Sequence, residues 1–100
     1  MLSYAKKNSI IEEHPSFKIK GVETATGTLG HGLSVGCGIS LANKIRNIDS
    51  NTFVLLGDGE CREGSIWEAA QFAPANKLNN LFCIIDMNNI WLSNFLLKLL

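Results

Sequence analysis

The sequence predicts an α/β fold, a partial parallel sheet with flanking helices. Two apolar runs, Thr52–Leu56 and Leu81–Ile85, are rich in strand-forming residues without regular polar alternation, which is typical of parallel strands covered on both faces. The chain between them, residues 57–80, has room for a loop, a helix and a return turn, so a parallel crossover is expected. In such a unit both strands end at one edge of the sheet, where open α/β sheets bind their ligands.

Length and composition agree with one small globular domain. The chain has 100 residues, of which 46% are hydrophobic and 18% charged. Nine basic and nine acidic side chains cancel, and without a basic stripe we expect no nucleic-acid partner. No stretch reaches the roughly 18 apolar residues that a membrane span requires, so no membrane partner is expected either. The amino terminus lacks the apolar core of a secretory signal, and we expect a cytoplasmic location.

The three cysteines predict free thiols and no disulfide framework. Cys37 and Cys83 are expected to pack as small hydrophobic side chains. Cys61 lies beside the candidate site described below, but nothing in the sequence supplies an activating base for it. We therefore do not count it as catalytic.

The first helix is expected over about residues 31–47, after a lead-in of residues 1–13 and a glycine-containing loop over residues 24–30. Glycines weaken this helix, each by roughly 1 kcal/mol in a helix interior, and close packing on a sheet or on a neighbouring subunit is expected at Gly36 and Gly38. A dinucleotide-binding fingerprint at residues 30–32 is rejected, because the third glycine is misplaced and no strand precedes it. The inward-facing candidates of the helix are Leu33, Gly36, Ile39 and Ile45.

The second helix is expected from about Gly64 to Ala73. Its small apolar residues recur at helical spacing, and Pro74 should end or kink it. Ser65 and Glu68 have the spacing of a capping box, which gives Glu68 a purely structural interpretation. The stripe predicted to pack on the sheet comprises Ile66, Ala69, Ala70 and Ala73.

Polar residues follow both strands. Asp58 and Asn88 come just after the strand ends, and a carboxylate, an amide oxygen and a nearby backbone carbonyl suit a hard cation such as Mg²⁺. Gly57 and Gly59 would accept positive φ and let the backbone approach a bulky anion. Taken alone, this segment is also compatible with an ordinary turn.

The same residues resemble a known family. Gly57-Asp58-Gly59, followed by Asn88, looks like the thiamine diphosphate motif of thiamine-dependent enzymes. His14-Pro15 and the blocks over residues 21–33 and 60–70 resemble the amino-terminal, diphosphate-binding domain of transketolase. The resemblance covers residues 14–90, and we divide the chain into a lead-in (1–13), a partial thiamine diphosphate-binding domain (14–90) and a divergent apolar tail (91–100).

The resemblance implies a thiamine diphosphate cofactor with Mg²⁺ or another divalent cation. It implies metal ligation by the side chains of Asp58 and Asn88 and by the backbone carbonyl of Ile90. It also implies contacts of Gly57 and Gly59 with the diphosphate. His14 would face the reactive centre and the donor sugar. The backbone at Gly27 and Leu29 would contact the aminopyrimidine ring.

Glu63 and Glu68 match family acids at the subunit interface, which are linked to the glutamate that activates the cofactor. The activity implied is transfer of a two-carbon ketol unit between sugar phosphates. In the family the cofactor lies between this domain and a pyrimidine-binding domain of a second subunit. We therefore expect a dimer or a carboxyl-terminal partner subunit, with no activity of this chain alone.

Other interpretations stay open at this point. The chain could be a non-catalytic truncated remnant or a dimerisation module, or part of another thiamine diphosphate enzyme such as 1-deoxyxylulose phosphate synthase. A sheet of only two strands is also expected to leave faces and edges uncovered.

Overall fold

A computed structural model describes Lys6, Lys7, Ser9 and residues 14–87. The predicted ligands Asn88 and Ile90, the tail 91–100 and most of the lead-in lie outside the described residues. The elements are α1 (Gly32–Ile45), β1 (Thr52–Gly57), a short 3₁₀ turn (Glu60–Arg62), α2 (Gly64–Ala75) and β2 (Leu81–Asp86).

The two strands form a parallel sheet, as predicted. Thr52 lies opposite Leu81 at one end, and Gly57 lies opposite Asp86 at the other. Each strand runs one residue further than the apolar pattern indicates. The carboxyl ends of both strands therefore meet at one edge.

Helix α1 packs on one face of β1, and α2 packs beside it against α1. Val54 and Leu56 point towards them, and Leu56 is only 1% exposed. Burial of this apolar surface drives the packing, at roughly 25 cal/mol per Å². The core consists of Leu33, Cys37, Val54, Leu56, Ile66, Ala69 and Leu78.

The other face of the sheet is uncovered by the described residues. Phe53 and Leu55 are 66% and 71% exposed, and Phe82 and Ile84 are exposed beside them. The rings of Phe53 and Phe82 stack with their centroids 5.1 Å apart. The expectation of strands covered on both faces is thus wrong for this part of the chain, because α1 and α2 lie on one side. The expectation of uncovered sheet surface is confirmed.

Close packing of α1 on the sheet occurs at Gly36. A methyl group added there would collide with a side-chain methyl of Val54, so helix and strand approach at a distance that only glycine permits. At Gly38 such a methyl group would meet nothing within 4 Å. Close packing on the sheet is therefore confirmed for Gly36 and does not occur at Gly38, where packing on a neighbouring subunit stays a prediction.

The inward face of α1 is narrower than predicted. Leu33, Cys37 and Ser40 are buried in it, and they follow one another at the i, i+4, i+7 spacing of a helix stripe. Ile39 and Ile45 lie off this stripe and are 38% and 71% exposed, so their prediction as inward residues is wrong.

Helix α2 begins without the predicted capping box. Glu63 occupies the N-cap position and makes no side-chain capping hydrogen bond. Ser65 lies inside the helix, and its hydroxyl donates to the Gly30 carbonyl at 2.8 Å. The structural interpretation of Glu68 as a capping partner is therefore wrong.

The apolar stripe of α2 is partly confirmed. Ile66 and Ala69 are buried, whereas Ala70 is exposed. The helix ends at Ala75, one residue after Pro74, as expected for a residue that disfavours a continuing helix. Among the described residues, no helix is long and apolar enough to cross a membrane.

Candidate functional site

Asp58 lies at the edge where both strands end. Its backbone N–H donates to the carbonyl of Asp86, the last residue of β2, at 3.2 Å. Its side chain is 4% exposed, and its Oδ1 accepts a hydrogen bond from the Gly59 N–H at 2.9 Å. The strand pairing and the turn after β1 together hold this carboxylate in place.

The glycines around Asp58 differ from expectation. Gly59 has φ −62° and ψ −38°, and neither it nor Gly57 has a positive φ. The prediction of left-handed geometry is wrong, because the chain passes directly from β1 into a right-handed 3₁₀ turn. At Gly57 a methyl group would meet nothing within 4 Å, so the backbone there has open space for a ligand.

His14 packs against the loop that precedes α1. The Thr26 N–H donates to the Pro15 carbonyl at 3.2 Å. Gly27 has φ +118°, and a methyl group added there would lie 3.2 Å from Cγ and Cδ2 of His14. Only glycine accommodates both that φ and that ring. The structure therefore brings together two segments that were predicted separately.

A cavity of about 450 Å³ lies beside this loop and reaches the sheet. The residues that line it include His14, His31, Leu55 and Glu60. Gly27 and Leu29, the two loop residues expected to contact the aminopyrimidine ring, line the same cavity.

Gly30 is held from three sides. Its N–H donates to Oε1 of Glu60 at 2.8 Å, and its carbonyl accepts from the hydroxyl of Ser65 at 2.8 Å. Its φ is +84°, and a methyl group there would lie 2.6 Å from Cβ of Glu63. The loop before α1 is therefore fastened to the segment that runs from the 3₁₀ turn into α2.

Glu60 and His31 are site residues that the sequence did not single out. His31 Nδ1 donates to the Leu29 carbonyl at 3.2 Å; this requires the proton on Nδ1, because a carbonyl only accepts. Glu60 has no sequence signal beyond its position directly after Gly59. His31 lies within one of the blocks that resemble transketolase, but no role was assigned to it.

The thiols give no sign of nucleophilic activation. Burial raises the pKa of Cys61, and the carboxylates of Glu60 and Asp58 raise it further. Its Sγ donates to the Gly57 carbonyl at 3.4 Å. Burial likewise raises the pKa of Cys37, which is buried as predicted. Cys83 is exposed, contrary to prediction, because α1 packs mainly on β1 and Cys83 lies on β2.

Comparison with known proteins identifies the family. Residues 1–94 match the model described as transketolase, thiamine diphosphate binding domain. The chain belongs to the transketolase family. The resemblance of residues 14–90 is thereby confirmed.

Relatives of two kinds match this chain. An apulose-4-phosphate transketolase subunit of Phocaeicola vulgatus is 51% identical over 85 residues, which are 85% of this chain and 30% of the relative. The protein of the same name from Actinobacillus succinogenes is 45% identical over 94 residues, 93% of this chain and 34% of the relative. Transketolase of Homo sapiens is 42% identical over 91 residues, 90% of this chain and 15% of the relative. The chain thus spans about a third or less of the length of these three relatives.

The residues at the strand edge fit the cofactor of a thiamine diphosphate-binding domain. A buried carboxylate beside open backbone provides an oxygen ligand for a cation and space for an anion, and Mg²⁺ prefers few protein oxygens together with phosphate oxygens. Within the described ranges, no group of three or more His, Cys, Asp or Glu could hold a metal ion. Asp58 is thus the described member of the predicted ligand set.

Glu63 and Glu68 are both exposed. Glu63 lies at the start of α2 against Gly30, whereas Glu68 is not part of the cavity wall. Their predicted role at a subunit interface stays a prediction.

Proposed function

We propose that this chain forms the diphosphate- and metal-binding half of a thiamine diphosphate site that transfers a two-carbon ketol unit between sugar phosphates. One observation carries the proposal: the buried Asp58 carboxylate lies at the carboxyl edge of a parallel sheet, directly after the open backbone of Gly57. Open α/β sheets bind ligands at this edge. Asn88 and the Ile90 carbonyl would complete the protein ligands of a Mg²⁺ ion or another divalent cation.

The candidate site residues that the structure describes each have a role in this proposal. Asp58 would supply a metal oxygen and balance the cation's charge, while the backbone at Gly57 and Gly59 would line the diphosphate. Gly27 and Leu29 would support the aminopyrimidine ring from the cavity wall. When bound, thiamine diphosphate supplies the carbon nucleophile that accepts the ketol unit.

His14 is placed for proton handling at the substrate. It lines the same cavity as Gly27 and Leu29, and an imidazole can both donate and accept a proton near neutral pH. We propose that it contacts hydroxyl groups of the donor sugar. Its ring position is supported by the packing on Gly27.

The second half of the site would come from a partner. Two relatives are named as one subunit of an apulose-4-phosphate transketolase, which supports an arrangement in which a separate polypeptide provides the pyrimidine-binding domain. Glu63 and Glu68 would then face that domain in a dimer, and the substrates would be sugar phosphates. A cytoplasmic location is part of this proposal.

Turnover measurements test the half-site. The chain alone, with Mg²⁺, thiamine diphosphate, a ketose phosphate and an aldose phosphate, is expected to show no ketol transfer. Addition of a transketolase polypeptide that carries the pyrimidine-binding domain is expected to produce transfer, because the cofactor then lies between two walls.

The His14→Ala chain in the same mixture tests the role of His14. Its rate of ketol transfer should fall by about a hundredfold or more, as expected for loss of a proton-transfer group. Turnover by the chain alone would refute the half-site. Absence of turnover in a mixture that binds the cofactor would support the non-catalytic remnant instead.

A further inference from the structure

Glu60 connects two segments that the proposed site needs in one place. It follows Gly59 directly, in the turn that would hold the metal and diphosphate. Its Oε1 accepts the N–H of Gly30 at 2.8 Å, thirty residues away in the loop that contains Gly27 and Leu29. A hydrogen bond to a carboxylate is roughly twice as strong as one between neutral groups.

This hydrogen bond orients a peptide that has little freedom of its own. Gly30 is buried and has φ +84°, and the Ser65 hydroxyl holds its carbonyl. The preceding carbonyl, that of Leu29, is held by His31 Nδ1. The Glu60 carboxylate is therefore one of three groups that fix the direction of the Leu29 and Gly30 backbone, together with the Ser65 hydroxyl and the His31 imidazole.

The position of the carboxylate depends in turn on the strand-end turn. The Glu63 N–H donates to the Glu60 carbonyl at 3.0 Å, and the Cys61 N–H donates to the Asp58 carbonyl at 3.2 Å. Hydrogen bonds thus connect the turn around Asp58 to the segment of Glu60, and Glu60 to Gly30.

We propose that Glu60 is a positioning residue that couples the metal-diphosphate turn to the ring-supporting loop. The coupling rests on the proposed function, because it matters only if the turn and the loop hold two parts of one ligand. Glu60 acts through the Gly30 N–H and is not itself a metal ligand in this scheme.

The contact itself can be tested without any ligand. Amide hydrogen exchange of Gly30, measured by NMR, should become about tenfold faster or more in Glu60→Ala, because its hydrogen bond to a charged group is lost. Glu60→Gln keeps an acceptor oxygen and should restore most of the protection. Glu23→Ala removes an exposed acid from the same loop region and should leave the exchange of the Gly30 amide unchanged.

Unchanged exchange at Gly30 in Glu60→Ala would overturn the proposal. If Glu60→Ala does not fold, the Glu60→Gln variant is measured instead. A folded Glu60→Gln variant in which the Gly30 amide remains protected from exchange supports positioning by hydrogen bonding. A folded variant in which Gly30 has lost its protection overturns it.

The coupling is tested with Mg²⁺ and inorganic diphosphate, a probe that can occupy the turn but has no ring. Chemical-shift changes at Gly57 should extend to Gly27 and Leu29 in the wild type and in Glu60→Gln, and should stay confined to the turn in Glu60→Ala. Equal Mg²⁺ affinity of Glu60→Gln and wild type is also expected, whereas a large loss would indicate a metal ligand and overturn the assignment.

The two proposals fail in different ways. Binding of diphosphate at the turn without any change at Gly27 and Leu29 overturns the coupling alone. No binding of diphosphate or thiamine diphosphate at the turn overturns the proposed function and the coupling with it.

Discussion

At the scale of single residues, the Cys61 thiol gives a sharp prediction because it lies beside the proposed site. Its pKa is raised by burial and then by the carboxylates of Glu60 and Asp58, so the thiolate fraction at pH 8 is smaller than in an unfolded chain. Iodoacetamide should therefore alkylate Cys61 more slowly in the native protein than in urea, as followed by mass spectrometry of the labelled peptide. Faster alkylation in the native state would indicate an activated thiol and contradict the interpretation of Cys61 as a non-catalytic residue.

The same pKa direction has a consequence for stability. A thiol whose pKa is higher in the folded state favours folding while it is protonated, so this contribution is complete below the ordinary thiol pKa of ~8.5. It is lost as the pH rises through the folded-state pKa. Cys37, which is buried in the core, follows the same rule.

How far residues could be predicted depends on the range of their contacts. The place of Asp58 followed from the strand end alone, since the position after a strand determines the edge at which a side chain lies. Glu60 could not be found, because its partner Gly30 is distant in sequence. The sequence predicts positive φ at Gly57 and Gly59, whereas the structure has it at Gly27 and Gly30. The presence of glycine does not show which turn requires a positive φ.

At the scale of elements, two glycines of α1 form a matched pair. Gly36→Ala should lower the free energy of unfolding by about 1–3 kcal/mol, because the added methyl group collides with Val54 in the packed core. Gly38→Ala should raise it by up to about 1 kcal/mol, because the site is open and alanine favours the helix. Urea unfolding of both variants measures the difference. Shifts of equal size and sign would contradict the described packing of α1 on β1.

Elements were predicted well in extent and less well in orientation. The turn residues around 47–51 and Pro74 delimit the helices, so their bounds agree within about two residues. The buried face of each helix was predicted less well. Ile39 and Ile45 satisfy helical periodicity but lie outside the buried stripe of α1. A stripe three residues wide cannot be distinguished from a broader one by hydrophobicity alone.

At the scale of the whole molecule, one face of the sheet is left uncovered by the described residues. The described residues place helices on one side of two strands, and Phe53, Leu55 and Ile84 remain exposed on the other. The chain spans 30% and 34% of the two apulose-4-phosphate transketolase relatives. The hydrophobic runs predicted strands covered on both faces. No pattern in the sequence could show that the helices of the described part cover only one of these faces.

The central claim is that Asp58 holds a metal-dependent diphosphate ligand at the strand edge. The measurement that tests it most directly is the thermal unfolding midpoint with thiamine diphosphate, in the presence of Mg²⁺ and in the presence of EDTA. The wild type should be stabilised only with Mg²⁺, because a ligand that binds the folded state raises its stability. Asp58→Ala should lose this shift, while Asp49→Ala, which removes an exposed acid from the loop before β1, should retain it. No shift with the wild type, or an equal shift with Asp58→Ala, would contradict the claim.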